Sequence, residues 1–194
     1  MSFVNLVMTP DFISIVSDGQ ITESGQITQT HFKKFIVSPQ HFVVAITGFQ
    51  LITENIKKKF YYQPNLSFDE AVKFLIQELE KYKDKRLHFG QTFICYNAII
   101  AGFPTNHSTP IAMSFHIENQ QLTRKVYEKS ALISLLPDDI DFNPNFIISE
   151  NLRYFDKNSR LFHIQSLQRN ALYKVAAHSK TVNRTVFQEI IKKD

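Results

Sequence analysis

Tryptophan is absent from the 194 residues, cysteine occurs once and glycine only five times. A lone Cys95 excludes an intramolecular disulfide and fits a reducing compartment. Its place in the apolar run Thr92 to Ile100 reads as a buried strand thiol rather than a nucleophile. Five glycines leave no glycine-rich phosphate loop. No apolar stretch approaches the roughly 18 residues that a membrane span needs. The N-terminus lacks a basic segment followed by an apolar one, so no secretory signal is expected and the cytoplasm is the expected location. The seven histidines are scattered without paired ligand spacing, so neither a metal nor a cofactor is expected.

What the chain does have is apolar bulk. Hydrophobic residues make up 43% and phenylalanine alone contributes 18 residues, enough for a sizeable core; charged residues at 21% argue against disorder. The length suits one large domain, residues 1–194. The net charge of +4 is mildly basic, but the lysines and arginines are spread out. The runs Lys57-Lys58-Lys59 and Lys83 to Arg86 read as solvated helix faces, and no nucleic-acid recognition motif accompanies them.

Hydrophobic periodicity separates the chain into blocks. Phe3 to Met8 and Phe12 to Val16 read as strands around the turn Thr9-Pro10-Asp11, and Ser17-Asp18-Gly19 closes the second. His31 to Val37 and His41 to Thr47 read as another pair around Ser38-Pro39-Gln40. Phe49, Ile52, Ile56 and Phe60 recur at helical steps, and Pro64 ends that helix. Ser67 and Glu70 form a capping-box signature that opens a second helix, with Phe68, Val72, Leu75, Leu79 and Tyr82 on its apolar face. Strands return at Gln91 to Gly102, Ile111 to Ile117 and Leu122 to Leu135, with loops at Pro104 to Pro110 and Pro137 to Pro144. A last helical face runs through Leu161, Ile164, Gln168, Leu172 and Val175, before a closing strand at Thr185 to Ile191. Strands and helices segregated in blocks argue for α+β rather than parallel βαβ architecture. Two antiparallel sheets packed face to face with helices outside, a four-layer αββα sandwich, is compatible with this order.

Several short motifs carry a resemblance. Ser2, Asp18 in Ser17-Asp18-Gly19-Gln20 and Lys34 in Phe32-Lys33-Lys34-Phe35 follow one another at equal spacings of sixteen residues. Val43-Val44-Ala45-Ile46-Thr47-Gly48 forms a strand leading through glycine into a helix. In these features the chain resembles the N-terminal-nucleophile (Ntn) hydrolases, specifically the proteasome β-subunit and the peptidase ring of the bacterial heat-shock-locus protease. The resemblance implies the four-layer fold, a homo-oligomeric ring, and peptide or protein substrates, without membrane or nucleic-acid partners. It implies that Ser2, exposed by removal of Met1, is the nucleophile, with Asp18 and Lys34 tuning its amine and the Gly48 N–H stabilising the oxyanion.

The residue types suit that chemistry. A hydroxyl needs a base within hydrogen-bonding reach, and a free α-amine, with a reference pKa of roughly 7.7–8.0, is suited to the task. A lysine held close by disfavours protonation of its neighbours, and an aspartate beside it orients it.

The sequence also departs from the family. Serine stands where the family usually has threonine. Ile46 stands where it often has glycine. Ser130-Ala131-Leu132-Ile133-Ser134 matches the family's Gly-Ser-Gly run without a glycine. The family's later supporting Asp and Ser should fall near His178 to Asn183, where Ser179 and Val182 stand. These departures motivate a second reading, a catalytically inactive protein of the same fold that serves as an assembly or partner-binding scaffold.

Overall fold

A computed structural model describes residues 2–23, 25–85, 95–151 and 160–193. Helices and antiparallel sheets make up the chain, which divides into two compact units: residues 1–34 with 130–190, and residues 35–129 with 191–194.

The first unit is built on a hairpin. Strand β1 (Val4–Met8) pairs antiparallel with β2 (Phe12–Ser17), in a register that sets Val4 against Ser17. Thr9 closes the turn, accepting from the Phe12 N–H and donating to the Phe12 carbonyl. A short hairpin follows, β3 (Ile21–Glu23) with β4 (Gln26–Gln29). Both hairpin strands of the main sheet are buried along their whole length, so they read as continuous apolar runs. Phe3, Val7, Phe12 and Val16 pack with helices of the same unit, whereas Val4, Leu6, Ile13 and Ile15 on the opposite face are fully buried as well.

The second unit carries a five-stranded antiparallel meander. Its strands are β5 (Phe35–Ser38), β6 (Phe42–Thr47), β7 (Tyr96–Gly102), β8 (Ile111–Glu118) and β9 (Gln121–Glu128), paired in that order. Between β6 and β7 lie α1 (Gln50–Tyr61) and α2 (Phe68–Tyr82). The capping box is formed as the sequence indicates: the Glu70 N–H donates to Ser67 Oγ while the Glu70 carboxylate accepts from the Ser67 N–H. Ile56, Phe60, Phe68, Val72, Leu75 and Leu79 pack on Phe42, Val44, Ile46, Ala98 and Ile100 of the sheet. Val43, Ala45, Ile99 and Ala101 on the other face are fully buried too.

The remaining elements return to the first unit. Strand β10 (Ala131–Leu135) pairs with β1, α3 (Asn145–Asn151) and α4 (Arg160–His178) follow, and β11 (Phe187–Lys192) completes the sheet order β10-β1-β2-β11. Ile164, Gln168, Leu172 and Val175 of α4 are buried, as the helical spacing indicates.

Four local readings differ from the sequence expectation. Leu122 to Leu135 reads as one strand but is two, broken at Lys129, whose φ of +67° turns the chain from one sheet to the other. No Gly, Pro or Asn marks that bend, because a lysine occupies a conformation usually left to glycine. The His31 to Val37 reading shortens to a strand starting at Phe35. The β3–β4 hairpin and α3 escape the periodic reading because they are short. Cys95 is half-buried just before β7 rather than inside it, and residues 91–94 of the same expected strand lie outside the described residues.

Candidate active site

The hairpin register places Asp18, the residue after β2, opposite Phe3. The Asp18 N–H donates to the Phe3 carbonyl at 3.2 Å, and Asp18 Oδ1 accepts the Phe3 N–H at 2.9 Å. That N–H belongs to the Ser2–Phe3 peptide, so the carboxylate holds the main chain one bond from Ser2. Ser2 itself is half-buried.

Lys34 precedes β5 and turns its side chain inward, leaving it 2% exposed, while Asp18 is wholly buried. Their Nζ and Oδ2 stand 3.4 Å apart. Lys34 Nζ also donates to the Gln20 carbonyl at 2.6 Å and lies 5.7 Å from the Phe32 ring centroid. The Gln20 N–H donates to Asp18 Oδ2 at 2.8 Å. Burial lowers the Lys34 pKa below the ordinary lysine value, against the opposing pull of Asp18. Burial likewise raises Asp18, although Lys34 and two backbone N–H groups favour its charged form. A lysine in this state gives up its proton more readily than one in water.

Gly19 is explained by crowding rather than by a turn. A Cβ there would come within 2.7 Å of the Thr30 carbonyl and 2.9 Å of Thr185 Cγ2. The Gly19 N–H donates to Asn183 Oδ1 at 3.0 Å, and Asn183 Nδ2 donates to the Thr30 carbonyl at 3.0 Å.

Gly48 lies in the other unit, after β6. Its φ of +135° is open to glycine alone at little cost, and a Cβ would meet Tyr96 Cδ1 at 2.7 Å. Ile46, two residues earlier, is a fully packed member of that unit's core.

Of the residues singled out from sequence, Asp18, Lys34 and the main chain at Ser2 come together in one unit. Gln20, Asn183 and Asp139 were missed, because uncharged amides and a loop carboxylate carry no motif. Ser179, noted from the resemblance, is buried and donates to Asp139 Oδ1 at 2.7 Å, while the Lys180 N–H donates to Asp139 Oδ2 at 2.9 Å. Val182 packs into the apolar core. Among the described residues, no group of three or more His, Cys, Asp or Glu side chains converges to hold a metal. Among them too, no helix is long and apolar enough to cross a membrane.

No family model and no curated protein matches the sequence. Its structure, however, is similar to that of eukaryotic HslV from Trypanosoma brucei, with a TM-score of 0.56 at 11% identity. The match covers 98% of this chain and 99% of that one. At such low identity the similarity speaks for the fold alone: the chain has a proteasome-like fold.

Proposed function

We propose that the protein is a proteasome-like Ntn amidohydrolase that cleaves amide bonds in peptides or proteins, with Ser2 as nucleophile after removal of Met1. The observation that carries this reading is the buried Asp18–Lys34 pair, whose carboxylate grips the Ser2–Phe3 peptide. A buried ion pair is a poor source of stability compared with apolar packing, so its presence beside the proposed nucleophile supports a use.

In the proposed reaction the Ser2 hydroxyl attacks the amide carbonyl carbon and passes its proton to the Ser2 α-amine. The Gly48 N–H is the proposed donor to the oxyanion. Collapse expels the amine, which takes the proton from the α-ammonium, and water then hydrolyses the ester by the same base. Lys34 and Asp18 tune the amine. The same reading takes residues 1–194 as one cytoplasmic domain of a homo-oligomer. It proposes the four-layer αββα sandwich, supported by the burial of both faces of β1, β2 and β6.

Intact mass and peptide hydrolysis test the proposal together. Met1-free protein should hydrolyse peptides, and Ser2→Ala should lose at least about a thousandfold in kcat/KM. Equal rates in the two would remove Ser2 from the mechanism.

Ile46 favours the second reading, a silent scaffold, because a packed isoleucine stands where the family often has glycine. A scaffold would keep its function when Lys34 is replaced by Met, whereas the enzyme would lose nearly all of it.

A further inference from the structure

Gln20 is 5% exposed, and its main-chain N–H, its carbonyl and its side-chain Nε2 are all hydrogen-bonded. Its main chain holds both members of the ion pair, the N–H on Asp18 Oδ2 and the carbonyl on Lys34 Nζ. Its side chain reaches away from them: Nε2 donates to the Lys180 carbonyl at 2.7 Å and to Thr22 Oγ1 at 3.0 Å. The main chain of Lys180 is therefore gripped at two points, at its carbonyl by Gln20 and at its N–H by Asp139 Oδ2.

Asp139 fixes the rest of that turn. Its Oδ1 accepts the Ser179 hydroxyl; Ser179 Oγ in turn accepts the Thr181 N–H at 3.1 Å and lies 3.0 Å from Thr181 Oγ1. The Ser179 N–H donates to the Val175 carbonyl at 2.8 Å, so the turn is rooted on the end of α4. A continuous set of hydrogen bonds thus runs from a carboxylate in the loop after β10, through the 179–181 turn, to the residue on which Lys34 rests.

We infer that Asp139 and the Gln20 side chain are positioning residues for the Asp18–Lys34 pair, acting by locking the 179–181 turn and tying residue 20 to it. This inference rests on the catalytic reading above for its purpose, but its physical content does not need catalysis. Without the Gln20 side-chain tether, the Gln20 carbonyl is free to shift, and Lys34 loses a fixed acceptor and gains access to water. Without Asp139, the Lys180 N–H and the Ser179 hydroxyl lose their acceptor, and the tether has a loose anchor. Charge plays no direct part: Gln20 is neutral, and although Asp139 is a carboxylate, the charge acting on Lys34 is that of Asp18.

The test is the titration of Lys34, followed by NMR in the full chain carrying isotope-labelled lysine, its signal assigned by difference from Lys34→Met. In Gln20→Met, which keeps the side-chain length but cannot donate, the Lys34 midpoint should move toward the ordinary lysine value by at least about half a pH unit, because burial is the largest cause of its depression and the water gained outweighs the acceptor lost. Asp139→Ala should move it the same way, and Asp139→Asn or Ser179→Ala carries the test where that variant does not fold. Superimposable Lys34 titrations in wild type and in the folded variants would overturn the inference, whatever happens to thermal stability. Hydrolysis is assayed in parallel. A moved Lys34 midpoint in a protein that hydrolyses nothing upholds the positioning role and sinks the peptidase reading. Hydrolysis with an unmoved midpoint does the reverse.

Discussion

Removing one member of a buried ion pair differs sharply from removing both. Asp18→Ala would leave the Lys34 ammonium 2% exposed with the Gln20 carbonyl as its hydrogen-bond acceptor among the described residues, and strand the N–H groups of Phe3 and Gln20. Losses of about 3–5 kcal/mol are usual for a charge left buried in this way. The double variant Asp18→Ala with Lys34→Met removes the stranded charge, so it should recover a large part of that loss. Denaturant unfolding of the four proteins checks this, and strictly additive losses would mean that the two groups do not interact. At this scale the sequence was informative where a charge is involved. The resemblance to the Ntn-hydrolase pattern pointed to Asp18 and Lys34, and a lysine buried in the folded protein is rare enough to be worth explaining. Gln20 was opaque because a neutral amide that tethers one loop to another carries no motif in the sequence.

Helix α4 sits on its sheet through a polar centre rather than a purely apolar one. Gln168 falls on the helix's apolar face by spacing, and it is wholly buried. Its Nε2 donates to Asn5 Oδ1 at 2.9 Å and to the Ser14 carbonyl at 3.1 Å, while its Oε1 accepts the Ser14 hydroxyl at 2.6 Å. Asn5 extends the network to Ser134 of β10 and Asn145 of α3. Gln168→Ala should cost about 2–4 kcal/mol, from the cavity together with the unsatisfied Asn5 and Ser14 groups. The loss should be distinctly larger than for Arg169→Ala on the same helix, measured by denaturant midpoint at constant slope. Elements of this kind were largely legible, because period 3.6 and period 2 survive in the apolar pattern even when one position is polar. The Lys129 bend was not legible, since no Gly, Pro or Asn interrupts the run from Leu122 to Leu135. Nothing local identifies β10 as a partner of β1; that pairing joins residues about 130 apart in sequence.

Across the whole molecule, acid unfolding should be governed by carboxylates whose shifts have opposite signs. Glu78 of α2 has a side chain only 2% exposed, yet Lys59 and Lys81 both donate to it at 2.5 Å. Burial alone would raise its pKa, but the two lysines outweigh that and hold it below the ordinary 4.5. Asp139 is similar: the Ser179 hydroxyl and the Lys180 N–H overcome burial and hold it below 3.8. For such groups the unfolded chain binds more protons between the folded and unfolded pKa values. Their stabilisation is therefore complete above the unfolded value and is lost as pH falls through the folded one. Asp18 runs the other way. Its raised pKa means that the folded chain binds more protons just above 3.8, so stability there falls as pH rises. Replacing Glu78 by Gln should therefore destabilise the protein most at about pH 6, and the difference from wild type should shrink toward about pH 3. Denaturant unfolding of both proteins across that range reads the difference directly. A gap that stays constant with pH would mean that Glu78 keeps its ordinary pKa in the folded chain, and that Lys59 and Lys81 only cover it.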